Sequence, residues 1–163
     1  VEQVFRYEIN EKQCDFTKVF REDGHAIDEL LAVMRLLVKT MKRHNPATVY
    51  DLHKYYPELL RELKQAQQGH IYQALKQNME KGIRQGLFRK ELNVGFVARM
   101  QVSMVEAMLE LPMFKQKEIF EPELIFESVN YHIRGIINRT GLDYLEKLLS
   151  ETPINAILYE QAE

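Results

Sequence analysis

Pro57 and Gly86 bracket the stretch that most restricts the fold. Proline suits the first position of a helix, where its missing N–H has no bond to lose, and Glu58 behind it faces the positive end of the helix dipole. Leu59, Leu63, Ile71, Leu75, Met79 and Ile83 then recur along one side of a helix. Gly86 is placed to cap the C-terminus. The spacing predicts a helix close to 30 residues long, roughly 40 Å at 1.5 Å per residue. An element of that length must be the backbone of the domain.

Similar punctuation divides the remaining chain. Residues from about 2 to 20 form a first segment with Val4, Phe5, Ile9, Phe16 and Phe20 as its apolar positions, ended by Glu22-Asp23-Gly24. Ile27, Leu30, Leu31, Met34, Leu37, Val38 and Met41 line one face of a second helix. Lys42, Arg43 and His44 close it with positive charge, and Asn45-Pro46 breaks it. A short helix from about 47 to 55 carries Val49, Tyr50, Leu52 and His53, with Tyr56 at or near its end. Beyond the long helix, Asn93 can cap a helix that reaches Leu111 and stops at Pro112. Pro122 opens another, running to about Asn138, and Thr140 caps a last one through Leu149. No segment alternates with period two for long enough to read as a strand. The expected fold is all-α, a bundle of about six to seven helices in a single domain spanning 1–163.

The charge pattern narrows the function. Lys and Arg number 22 against 24 Asp and Glu, mixed along the whole length. A domain that gripped phosphates by itself would carry a basic excess on one face, so poor nucleic-acid binding is expected of these residues alone. No apolar run approaches the roughly 20 residues needed to span a bilayer. The single cysteine, Cys14, cannot form an internal disulfide, which fits a reducing cytoplasm. Val1-Glu2-Gln3 is neither an initiator methionine nor a signal peptide, so a trimmed chain with its natural start upstream is expected.

Catalytic signatures are missing. Ser103, Ser128 and Ser150 lie in no Gly-x-Ser-x-Gly turn, and Cys14 has no neighbouring histidine. Glu22 and His25 have the Glu-x-x-His spacing of a di-iron carboxylate bundle, but Gly24 lies between them and no second copy exists. His44, His53, His70 and His132 have no His or Cys at a chelating i, i+4 step. Gly82 and Gly86 flank a helix end and read as capping residues rather than a phosphate loop. The expectation is a protein that is not an enzyme, with no cofactor and no metal.

Two groups of residues point to binding. Tyr50, His53, Tyr55 and Tyr56 gather beside Met34, Met41 and Met79, offering apolar bodies with polar tips and side chains that adapt their shape. A small-molecule pocket between helices needs such residues, although the same side chains also serve as core with hydroxyls at the surface. The second group is a pair of stripes. Val97, Met100, Met104, Met108 and Leu111 line one helix; Ile125, Val129, His132, Ile133 and Ile136 line another, beside Ser128 and Gly135. Gly135 costs about 1 kcal/mol in a helix relative to Ala, which close helix approach would offset. Two copies of this pair would make a four-helix, two-fold dimer interface.

Three stretches carry a family resemblance: Tyr50-Asp51-Leu52-His53-Lys54-Tyr55-Tyr56-Pro57, Gly82-Ile83-Arg84-Gln85-Gly86-Leu87-Phe88, and Tyr131-His132-Ile133-Arg134-Gly135-Ile136. With the overall run of helices they resemble the C-terminal ligand-binding and dimerisation domain of tetracycline-repressor-family transcriptional regulators. The likeness covers most of the chain to about Leu149. The family's N-terminal helix-turn-helix, whose second helix reads the major groove, is not found here, and residues 1–20 resemble the helix that follows it. The resemblance implies a cytoplasmic homodimer whose small, apolar or aromatic effector shifts the helices that position DNA-binding heads. Helix faces and resemblance together assign the pocket to Phe16, Met34, Leu37, Met41, Tyr50, His53, Tyr56, Met79 and Met104. They assign the dimer interface to Val97, Met100, Met108, Leu111, Ile125, Ser128, Val129, His132, Gly135 and Ile136. The competing readings are a helical protein-interaction module without a pocket, and an enzyme on a helical scaffold, which a bound metal or cofactor would reveal.

Overall fold

The computed structural model describes residues 18–21, 23–42, 54–110, 121–153 and 156–157. Among these the fold is all-α, with five helices: α1 (Ala26–Lys42), α2 (Pro57–Arg84), α3 (Val94–Glu110), α4 (Pro122–Ile136) and α5 (Arg139–Glu151). The helix expected before residue 20 and the short one from 47 lie almost wholly outside the described residues.

The long helix keeps its sequence-read ends. Pro57 occupies its first turn with Glu58, and Lys81 and Arg84 occupy its last. Gly86 adopts φ 72°, the left-handed conformation that ends helices. This fold-back lets the N–H groups of Leu87 and Phe88 both donate to the Gly82 carbonyl, at 2.9 and 3.1 Å. Gly82 lies in that last turn, but its side of the helix is set by packing. It is buried inside α2, and a Cβ there would lie 2.3 Å from Cδ2 of Phe88, so its bare backbone makes room for that ring. Packing, more than capping, accounts for this glycine.

Asn93 caps α3 as expected, accepting from the Phe96 N–H at 3.1 Å. At α5 the cap is Asn138 rather than Thr140: its side chain accepts from the Gly141 N–H at 3.0 Å. The Asn138 amide also donates to the Gly86 carbonyl at 2.8 Å, tying the α4–α5 turn to the end of α2. Phe88 pairs with Ile137 as an isolated antiparallel bridge, and Arg89 N–H donates to the Ile136 carbonyl at 3.0 Å.

In space α1 packs between α2 and α4, while α2 packs between α1 and α3. Their shared core includes Ile27, Met34, Met79, Phe88, Ile133 and Leu145, with α5 supplying Leu145. The α1 stripe behaves as its periodicity predicts, since Ile27, Leu30, Leu31, Met34 and Val38 are all buried.

Candidate functional site

The N-terminal end of α1 is held to α2 by a buried polar cluster. Glu29 sits on an otherwise apolar helix face, where an unpaired carboxylate would be costly. Lys81 Nζ donates to its Oε1 at 2.5 Å, Asn78 Nδ2 to its Oε2 at 2.9 Å, and Arg21 N–H to its Oε1 at 2.8 Å. Lys81 also donates to the Arg21 carbonyl at 2.6 Å, and Asn78 to the Ala26 carbonyl at 3.0 Å. Gln85 completes the clasp: its side-chain carbonyl accepts from the Ala26 N–H at 3.0 Å, and its amide donates to the Gly24 carbonyl at 2.9 Å. The backbone entering α1 is thereby fixed to the last turns of α2.

On the other side of α1 lies a cleft of about 230 Å³, lined by Asp28, Leu31 and Arg35 of α1, Leu148 of α5, Thr152 and Ile157. Positions 28, 31 and 35 follow the three- and four-residue steps of one helix face. Asp28 closes one end. The Tyr144 hydroxyl donates to it at 2.8 Å to Oδ1 and 3.0 Å to Oδ2. The His25 ring stacks on Tyr144 with centroids 4.0 Å apart, and its Nδ1 lies 3.8 Å from Asp28 Oδ1. Burial first, then the hydrogen bond and the charge of Asp28, push the Tyr144 phenol up to about 12, so it stays protonated and remains the donor. At the other end Arg35 pairs with no carboxylate among the described residues.

Of the pocket residues expected from sequence, Met34, Leu37, Tyr56, Met79 and Met104 have described side chains. Met34 and Met79 are fully buried in the common core, and Leu37 packs half-buried against it. Tyr56 and Met104 are half-buried. Phe16, Tyr50, His53 and the Met41 side chain lie outside the described residues. Met34, Leu37, Tyr56, Met79 and Met104 are not among the described residues that line the cleft. Sequence reading missed Asp28, Arg35 and Leu148. The available signal was a pair of opposite charges seven residues apart on a strongly apolar helix, with Leu142, Leu145, Leu148 and Leu149 repeating on a short helix that follows.

The expected dimer residues divide between inside and outside. Ile125, His132 and Ile136 are buried in this chain's own core, while Val97 and Val129 pack half-buried against it. Burial lowers the His132 imidazole to about 4, and its Nε2 has no hydrogen-bond partner among the described residues. Ser128 and Met108 are half-buried and meet each other, Oγ to Sδ 4.0 Å, where α3 touches α4. Leu111 lies outside the described residues. Met100 is 51% exposed, and Gly135 is exposed with no atom within 4 Å of where its Cβ would stand. The exposed large apolar side chains described on the two helices are Phe96, Met100 and Val105 on α3 and Leu124 and Tyr131 on α4; Phe96 is 56%, Leu124 43% and Tyr131 74% exposed. Phe96, Leu124 and Tyr131 were not among the expected interface residues. Their signal was the step of seven from Leu124 to Tyr131 and of four from Tyr131 to Gly135.

Among the described residues no helix is long and apolar enough to cross a membrane, and no group of three or more His, Cys, Asp or Glu is placed to hold a metal ion. Compared with protein-family models, curated proteins and solved structures, the chain gives no significant match.

Proposed function

We propose that this chain is the effector-sensing and homodimerising domain of a bacterial transcriptional regulator of the tetracycline-repressor type, with DNA contacted through a separate helix-turn-helix domain. The observation that carries the reading is the outward apolar surface of α3 and α4. Phe96 and Met100 of α3 and Leu124 and Tyr131 of α4 are exposed, and the backbone at Gly135 is open; a second copy of the same two helices would cover them with two-fold symmetry. The clasp around Glu29 supports a lever, because the backbone carbonyls of Arg21 and Ala26 are each bonded to side chains of α2. A small, apolar or aromatic effector that fits one packing of α1 better than another shifts the population toward it. A coupling of about 1 to 3 kcal/mol suffices for regulation.

The test is native mass spectrometry of the purified chain at micromolar concentration. A dimer supports the reading, and extra mass of a co-purified molecule would identify an effector. A clean monomer would overturn the two-helix interface and leave a helical protein-interaction module as the better account.

A further inference from the structure

We propose that the cleft between α1 and the end of α5 binds a small organic anion, a carboxylate carried on a single ring or a short acyl chain. This rests on the regulator reading only for its consequence, since it names the chemistry of the effector; binding itself stands on the cleft.

Three features of the walls set the ligand class. Two charged side chains line the cleft, Asp28 and Arg35, seven residues and about 10 Å apart along α1. They differ in what they already bond. The two oxygens of Asp28 share the Tyr144 hydroxyl as a donor, and the His25 ring lies against the same end with its Nδ1 3.8 Å from Oδ1. Arg35 meets no carboxylate among the described residues, and a guanidinium fork fits a carboxylate with two parallel N–H···O bonds. The donors left without a partner among the described residues are thus those of the guanidinium, and the matching ligand group is an anion.

Among the described residues the walls between the two charged side chains are Leu31, Leu148 and Ile157, with Thr152 as the remaining polar neighbour. Such walls favour an apolar body over a sugar or a phosphate ester, whose hydroxyls or further charges would find few partners. The volume, about 230 Å³, falls below the roughly 300–1,000 Å³ of drug-sized sites, so the body is one ring or a short chain. A ligand here would touch α1 on the face opposite the clasp. Asp28 lines the cleft and the next residue, Glu29, anchors the clasp, so tightening of α5 onto α1 reaches the backbone at Arg21 through one helix turn.

The experiment is a methyl NMR titration of the full chain with phenylacetate and octanoate, with phenylacetamide as the neutral control. The carboxylates should shift the methyls of Leu31, Leu148 and Ile157, and the amide should bind about tenfold more weakly or worse, as loss of a charge-assisted bond requires. Arg35→Gln should weaken the carboxylates by about the same factor while leaving the amide unchanged. Thr152→Trp, which fills the rim, should abolish binding of all three with circular dichroism preserved. Wild-type methyls that do not move up to about 10 mM, where even a millimolar site is filled, would overturn the proposal. So would Arg35→Gln binding carboxylates as tightly as wild type. Light scattering on the same samples separates the two readings: binding by a monomer supports the cleft and counts against the regulator, and a dimer without binding overturns the cleft alone.

Discussion

Glu29 and Lys81, 52 residues apart in sequence, form an ion pair of 2.5 Å with both side chains almost completely removed from water. Asn78 of α2 also donates to Glu29, and both charged groups bond the backbone of Arg21, so the two helices and the residue ahead of α1 share one electrostatic unit. Breaking such a pair from one side leaves a buried uncompensated charge, and Lys81→Met should cost about 3–5 kcal/mol. The double variant Glu29→Met/Lys81→Met removes both charges and should be clearly less destabilised than the sum of the two single variants. Urea unfolding of all four proteins checks this. Additive losses would show that the two groups contribute independently.

Two glycines on the same helix should respond to alanine with opposite signs. Gly69 is exposed, inside α2, with no atom within 4 Å of a Cβ position, so Gly69→Ala should stabilise by about 0.5–1 kcal/mol through helix propensity. At Gly82 the new methyl would meet the Phe88 ring at 2.3 Å. That ring is fully buried and has no room to withdraw. The overpacking should outweigh the propensity gain and destabilise the protein by about 1–3 kcal/mol. Thermal unfolding of the two variants side by side is sufficient.

These contrasts also mark how far sequence reading reaches. The long helix was legible because Pro57 and Gly86 carry their meaning locally, in a fixed φ and a left-handed one. Asn93 was legible for the same reason, as a cap whose partner is three residues away. At the next boundary Asn138 and Thr140 are both capping residues two positions apart, and only the contact to Gly141 selects between them. Gly82 looked like a second end marker because the ring that needs its space belongs to a residue beyond the turn. Periodicity found the stripe of Ile125, His132 and Ile136 but not whether it faces inward or toward a partner, since both environments reward the same side chains. The charges at 28 and 35 were visible but the cleft was not, because its walls come from positions 28–35, 148–152 and 157, brought together only by α5 folding back on α1.

His132 gives the fold an acid sensitivity of definite sign. Burial lowers its folded value to about 4 from the ordinary 6.5, so between these limits the unfolded chain binds more protons than the folded one. Stability from this group is therefore complete above pH 6.5 and is lost as the pH falls toward 4, by about 2 kcal/mol at pH 5. In His132→Leu that term disappears, and the partnerless Nε2 with it. The check is the difference in urea midpoint between pH 7.5 and pH 5, which should be smaller in the variant than in wild type. Equal differences would mean that His132 titrates in the folded state as it does in the unfolded chain.

The outward surface of α4 yields a prediction in which monomer and dimer move in opposite directions. Gly135 is an exposed helical residue with no described atom within 4 Å of its Cβ position, so within one copy Gly135→Ala should stabilise by about 0.5–1 kcal/mol, as at Gly69. In a dimer built on α3 and α4 the same methyl would stand between backbones, and it should weaken association while raising the stability of the separated chain. Tyr131, one turn before Gly135 and 74% exposed, is the aromatic anchor of that surface. Tyr131→Glu should raise the dimer dissociation constant about 30-fold or more, the effect of losing a central contact worth about 2 kcal/mol. A dilution series followed by light scattering reads both variants, with Gly69→Ala as the control that changes helix stability alone. If Gly135→Ala and Tyr131→Glu leave association where Gly69→Ala does, the partner does not sit on α4. The apolar side chains there would then need another occupant.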